Sequence, residues 1–108
     1  MLKTIPEKHI IKLKDITHIQ NELNFIVIYT SQDKNYTSTE AFNKVEKVLN
    51  EKGFIKVNHN TLINISYINN NINLGHKRSI NLFGITYINV SRRRMQVLKD
   101  VLKVTNRD

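Results

Sequence analysis

The sequence predicts a mostly β domain with two short helices. β-branched and aromatic residues gather in several short runs, and only two segments space apolar residues as a helix does. Those two segments lie about forty residues apart, which excludes a helix-turn-helix. Few prolines or glycines interrupt the 108 residues. We therefore expect a single domain over 1–108, in which 1–6 is either a linker or a frayed terminus.

The first half of the chain predicts four strands. Segments 9–13 and 16–20 are short apolar runs that fit strands. Segment 23–30 (LNFIVIYT) is rich in β-branched and aromatic residues, which favour a buried strand. We expect 34–37 to pair with it across a turn at 31–33.

A helix is predicted next. Thr37 and Glu40 fit a capping box, in which the glutamate reaches back to the cap. Gly53 is a suitable stop at the other end. The apolar residues at helical spacing are Phe42, Val45, Val48 and Leu49.

The second half returns to β structure before a final helix. We expect strands at 62–68, from 72 to 74, at 80–83 and at 85–90, with a turn at 69–71 and a basic hairpin tip at 75–79. Gly84 is predicted to form a bulge or kink. Ser91 is a good cap for the last helix. Its apolar stripe comprises Met95, Leu98, Val101 and Leu102.

The positive charge is concentrated in one part of the chain. The net charge is +8, yet residues 1–51 balance seven basic against seven acidic side chains. Residues 52–99 hold eight basic side chains and no Asp or Glu. Such a distribution predicts a polyanionic partner, although solvated surface lysine is the simpler alternative.

The strongest local signal is the run from Ser91 through Arg92 and Arg93 to Arg94. The N-terminus of a helix favours acids, so three arginines there are unfavourable unless an anion binds. Free N–H groups, a serine hydroxyl and guanidinium groups together suit phosphate, and arginine can also bind guanine in the major groove. The alternative is that the arginines simply point away from the helix end.

The segment 54–64 is the second signal. Phe54, Val57, Leu62 and Ile63 are predicted core anchors. The hydrogen-bonding side chains between these anchors are Lys56, Asn58, His59 and Asn60. They suit phosphate or base edges, and asparagine pairs well with adenine. It remains open whether 58–60 merely satisfies a turn. A third segment, 21–24, contains Asn24, and a plain turn is its simplest interpretation.

Other classes of protein fit the composition less well. The chain lacks cysteine, which excludes disulfides and thiolate sites and makes a reducing cytoplasm the simplest location. No apolar run is long enough for a signal peptide or a membrane span. The four histidines have no metal-ligand spacing, and acids are missing from the basic half. We therefore expect neither an enzyme nor a metal or other cofactor.

Several of these residues, in this order, match a known pattern. The matching residues are Asp15, Ile16 and Ile19; Asn24, Phe25 and Ile26; Tyr36; Phe54, Lys56, Asn58, His59, Asn60, Leu62, Ile63, Asn64 and Ile68; and Val90, Ser91, Arg92, Arg93 and Leu98. The chain resembles the LytTR family of bacterial DNA-binding domains over residues 5–103. It departs from the family at Asn58, where histidine is common, and at Asn60, where serine is common.

The resemblance implies an elongated arrangement of small antiparallel sheets. It implies a transcription regulator that binds double-stranded DNA through three loops in successive grooves and bends it. Carried over by position, the loops present Asn24, then Lys56 with 58–60, then 91–93. His59 and Arg93 fall at base-contacting positions. The resemblance also implies either the output domain of a longer two-component regulator, attached to a receiver or sensor domain, or a stand-alone regulator, and it implies a second copy on tandem sites.

Two other functions stay open. An RNA-binding module would need aromatic stacking platforms, which the basic region lacks. A protein-interaction module that pairs with another regulator without reading DNA is the other alternative, and the retained arginines argue against it.

Overall fold

The computed structural model describes residues 2–3, 10–32, 34–68, 72–73, 78–82 and 86–105. The first strands are β1 (Leu2–Lys3), β2 (Ile10–Ile11), β3 (Ile16–Asn21), β4 (Ile26–Thr30) and β5 (Asn35–Ser38). Helix α1 (Phe42–Leu49) leads to β6 (Phe54–Asn58), β7 (Thr61–Asn64) and β8 (Ile72–Asn73). The last elements are β9 (Ser79–Leu82), β10 (Thr86–Asn89) and helix α2 (Arg92–Thr105). Short 3₁₀ turns occupy Leu13–Asp15, Asn50–Lys52 and Ile65–Tyr67.

The strands form antiparallel sheets, as predicted. The larger sheet has the order β5-β4-β3-β7-β6, so β3 lies at its centre and pairs Ile19 with both Ile28 and Leu62. The smaller sheet has the order β10-β9-β8, and β1 pairs with β2 over two residues. The molecule measures 40 × 26 × 25 Å along its principal axes. The expectation of small antiparallel sheets in an elongated molecule is confirmed.

Two hydrophobic clusters share strands β6 and β7. Phe54 and Leu62 pack with α1 and the other strands of the larger sheet. Ile55, Val57 and Ile63 point the other way and pack with the smaller sheet and α2. Successive side chains of a strand alternate between faces, so β6 and β7 are covered on both sides. The predicted anchors Phe54, Val57, Leu62 and Ile63 are all buried.

The predicted capping box of α1 is wrong. Thr37 lies in β5, where it pairs with Val27, and the helix begins only at Phe42. The Ser38 hydroxyl instead accepts a hydrogen bond from the Glu40 backbone N–H at 3.1 Å. Sheet pairing therefore overrides the local signal. Gly53 does not end α1 itself, which stops at Leu49; its left-handed φ of 90°, which favours glycine, instead ends the 3₁₀ turn Asn50–Lys52 that follows the helix.

Several predicted strands are shorter than expected. Strand β4 begins at Ile26, which leaves Leu23 in an exposed loop, and 65–67 is a 3₁₀ turn because the Asn64 side chain accepts from Ser66 N–H at 3.1 Å. Leu13 belongs to a 3₁₀ turn and not to a strand. The predicted turn at 69–71, most of the basic tip at 75–79, and Gly84 lie outside the described residues. The apolar stripe of α2 is confirmed, with Leu98 buried and Met95, Val101 and Leu102 packed beside it.

Candidate nucleic-acid interface

The loop between β3 and β4 is joined to the turn between β6 and β7. The backbone N–H of Asn21 donates to the carbonyl of Asn60 at 2.7 Å. The loop itself is closed by Glu22 N–H, which donates to the Phe25 carbonyl at 2.8 Å. Asn24 is exposed within this loop. Two of the three segments singled out in the sequence are therefore neighbours.

Asn58 joins the same turn to the smaller sheet. Its side-chain amide donates to the Asn89 carbonyl at 2.7 Å, and its side-chain oxygen accepts from Asn60 N–H at 2.9 Å. A register shift between Lys56 and Asn58 ends the regular pairing of β6 at this point. The interpretation of Asn58 as a turn residue is therefore supported, while His59 and Asn60 stay exposed.

The start of α2 completes the group of loops. Ser91 N–H donates to the Val57 carbonyl at 2.8 Å, and the Ser91 hydroxyl accepts from Arg94 N–H at 3.3 Å. The predicted cap is thus present, and it is fastened to the end of β6. Arg92 and Arg93 follow it and are both exposed. All three segments singled out in the sequence are connected by backbone hydrogen bonds.

An open depression of about 630 Å³ lies between the second and third segments. Its lining residues are Asn58, His59, Arg78, Asn89, Val90 and Ser91. His59 and the start of α2 therefore share one surface. Arg78 also lines this depression, although the sequence analysis noted it only as part of a basic hairpin tip and not as a site residue.

Arg78 has an unusual backbone. Its φ is 46°, which is uncommon for a residue with a side chain and is often found at functional positions. Its carbonyl accepts from Val90 N–H at 2.8 Å, and this bond holds it next to the start of α2. The sequence signal that could have found it is its place among the basic residues of the acid-free half.

Arg94 and Lys56 face a different part of the surface. Arg94 Nε donates to the Lys56 carbonyl at 2.7 Å, so this arginine fastens α2 to β6. The Lys56 ammonium lies 3.9 Å from Glu46 of α1, with both side chains partly buried. Residues of α1 also surround Arg94 in a second depression of about 500 Å³. The structure therefore separates Arg94 and Lys56 from the exposed Arg92 and Arg93.

A buried histidine borders a neighbouring depression that Asn58 and Asn89 also line. His18 stacks on Tyr29 with ring centroids 4.3 Å apart, and its Nδ1 is 2.9 Å from the Thr17 hydroxyl. Burial lowers the pKa of His18 to about 4. The ring is therefore neutral near pH 7 and adds no positive charge to the surface.

Other kinds of site receive no support within the described part of the chain. There, no group of three histidine or acidic side chains is placed to hold a metal ion. Neither helix is long and apolar enough, over the residues described, to cross a membrane.

Comparisons with known proteins agree with this geometry. The family model of the LytTr DNA-binding domain matches residues 7–103. The fold is similar to the LytTr DNA-binding domain of a methyl-accepting/DNA response regulator from Bacillus cereus, with a TM-score of 0.73 and 12% identity over 85% of this chain and 84% of that one. No curated protein matches the chain significantly. The match of nearly the whole chain to the family model shows that it belongs to the LytTR family of DNA-binding domains.

Proposed function

We propose that the chain reads duplex DNA in a sequence-specific manner through its three connected loops, each placed in a groove. Family membership makes it a DNA-binding domain of a transcription regulator. The observation that supports the loop mechanism is the pair of backbone hydrogen bonds from Asn21 to Asn60 and from Ser91 to Val57. These two bonds join the three segments, as one continuous DNA surface requires.

The exposed side chains divide into two groups by their chemistry. Arg93 and His59 are proposed to contact base edges, because both are exposed and carry donors that suit the major groove. Asn24 and Asn60 are proposed to assist them. Arg92 is proposed to bind phosphate together with the Ser91 end of α2, since a helix N-terminus favours an anion.

The remaining proposed residues act partly through structure. Asn58 and Arg94 each use a side-chain donor in a contact with a backbone carbonyl. They are therefore proposed to position the loops, with any remaining donors of Arg94 free to meet phosphate. Lys56 is proposed to meet phosphate at the edge of the interface, where DNA would compete with Glu46. Arg78 joins the proposed interface because it lines the depression with His59.

The proposal extends to the setting of the domain. We take residues 1–108 as one DNA-binding unit of a bacterial cytoplasmic regulator, either attached to a receiver or sensor domain or acting alone. Two copies are expected to occupy tandem sites. Site selection from random duplexes, followed by footprinting, tests the tandem arrangement, which a single isolated half-site would contradict.

The central experiment measures duplex affinity against salt concentration. Neutralising about 4–6 phosphates predicts a log–log slope of roughly −4 to −5. Arg93→Ala is expected to lower sequence preference by about 1–3 kcal/mol, because a bidentate base contact is lost. A flat salt response, or unchanged preference in Arg93→Ala, would contradict the proposal.

A matched control comes from the opposite end of the larger sheet. Lys12 is exposed and precedes β3, whereas the loops follow it. The six residues of β3 separate the two ends by about 17 Å. Lys12→Ala is therefore expected to leave both the salt slope and the sequence preference unchanged. An equal effect of Lys12→Ala and Arg92→Ala would show that general charge, and not this surface, drives binding.

A further inference from the structure

The loop between β3 and β4 exposes an apolar side chain at its tip. Leu23 is 93% exposed, and Phe25 beside it is 39% exposed. A single exposed leucine on a protein surface is ordinary and carries no argument by itself. This one lies in a loop whose neighbours Glu22 and Asn24 are both exposed and polar.

The loop is held firmly next to the turn that carries His59. Asn21 N–H donates to the Asn60 carbonyl at 2.7 Å, and Glu22 N–H donates to the Phe25 carbonyl at 2.8 Å. The first bond fixes the base of the loop and the second closes it. If His59 contacts DNA, Leu23 is brought to the same duplex without any rearrangement of the backbone.

The chemistry of this loop differs from that of the other two. Residues 22–25 contain one acid and no basic side chain. A loop with a negative charge is poorly suited to bind phosphate, so its contribution has to come from base edges. The apolar group that a major groove offers is the 5-methyl group of thymine.

We propose that Leu23 contacts the 5-methyl group of a thymine in the target duplex and thereby adds an apolar element to sequence recognition. This inference rests on the proposed function, since it requires the loops to face DNA. Asn24, next in the chain, suits the adenine of a neighbouring pair. The loop therefore reads A·T pairs, while the cationic segments supply most of the affinity.

The test removes the methyl group from the DNA and the side chain from the protein. Each thymine in a selected site is replaced in turn by deoxyuridine, which keeps the base pair and deletes only the methyl group. For the wild-type protein, one replacement is expected to weaken binding about fourfold, the effect of one buried methylene-sized group. For Leu23→Ala, the same replacement is expected to have no effect.

Two comparisons complete the design. Val48→Ala changes another exposed apolar side chain, on α1, and is expected to retain the wild-type response to deoxyuridine. Equal deoxyuridine responses in wild type and Leu23→Ala, or no responsive thymine in the wild type, would overturn this inference while leaving DNA binding intact. Failure of the wild-type protein to bind any duplex would overturn the proposed function and this inference together.

Discussion

The side-chain amide of Asn58 donates to the backbone carbonyl of Asn89 at 2.7 Å, and this bond joins β6 of the larger sheet to β10 of the smaller one. The same side chain accepts from Asn60 N–H at 2.9 Å. One residue therefore stabilises both a turn and a contact between the two sheets. Both walls of the depression that contains His59 depend on it.

Asn58→Asp is expected to reduce the free energy of DNA binding by more than it reduces the free energy of unfolding. A carboxylate can still accept from Asn60 N–H but cannot donate to Asn89, so the sheets lose a contact. We expect a loss of about 1 kcal/mol in the free energy of unfolding, because the contact is exposed to water. Urea denaturation and fluorescence anisotropy with labelled duplex measure the two effects. Asn35→Asp, on the exposed start of β5, is the charge-matched control, and equal loss of affinity in both variants would refute a special role for Asn58.

Arg93→Lys and Arg94→Lys are expected to affect different properties: the first lowers sequence preference and the second lowers stability. Arg94 Nε donates to the Lys56 carbonyl at 2.7 Å, so lysine there should cost about 1 kcal/mol of stability. Arg93 is exposed, so lysine there should leave the melting temperature unchanged and reduce the preference for the selected site. Thermal denaturation and competition binding separate the two. The assignment fails if Arg94→Lys alters sequence preference alone and leaves stability unchanged.

His18 is expected to make stability depend on pH. Burial lowers its folded-state pKa to about 4 from an ordinary value of 6.5, so the unfolded chain binds more protons between these values. The contribution is present above about pH 6.5 and is lost as the pH falls towards 4. It amounts to at most about 3 kcal/mol.

His18→Phe keeps a ring against Tyr29 and removes the titration. Comparison of urea midpoints for the variant and the wild type between pH 4 and 7 isolates this effect, because carboxylates contribute equally to both. We expect a shallower loss of stability with acid in the variant. Parallel curves for the two proteins would contradict the prediction, because they would show that folding does not lower the pKa of His18.

Asn64→Ala is expected to be one of the more damaging single substitutions. The buried amide donates to the Ile16 carbonyl at 2.9 Å, and its oxygen accepts from the Ser66 N–H at 3.1 Å and from the Ser66 hydroxyl at 2.9 Å. Alanine leaves these groups without partners, at a cost of about 2–4 kcal/mol. Chemical denaturation measures this, with the exposed Asn50→Ala as control. A loss below about 0.5 kcal/mol would contradict the structural role.

The sequence predicted correctly those features that depend on interactions between residues close together in the chain. The Ser91 cap and the apolar stripe of α2 depend on residues within a few positions of one another, and both are confirmed. The capping box at Thr37 failed because pairing with Val27, distant in the chain, keeps that residue in β5. The 3₁₀ turn after Asn64 is closed by local hydrogen bonds from Ser66 to the Asn64 side chain, which the strand predicted over 62–68 did not take into account.

In the candidate site, too, some features could be predicted from the sequence and others depend on the tertiary structure. The exposure of Arg92 and Arg93 follows from their place before the buried stripe of α2, and the sequence could predict it. The fastening of Arg94 to Lys56 joins residues 38 positions apart. The place of Arg78 beside His59 depends on the bond from Val90 to its carbonyl. Both require the tertiary structure, because they result from the way in which the two sheets meet.

Strands β6 and β7 give side chains to both hydrophobic clusters, which has a mechanical consequence for bent DNA. Any displacement of β6 or β7 disturbs the packing of both clusters, so these strands couple the two sheets and resist their relative motion. A stiff protein can hold a duplex in a curved shape whose elastic cost is several kcal/mol, whereas a hinged one would yield first. We therefore expect the double helix, and not the protein backbone, to change shape when the two meet.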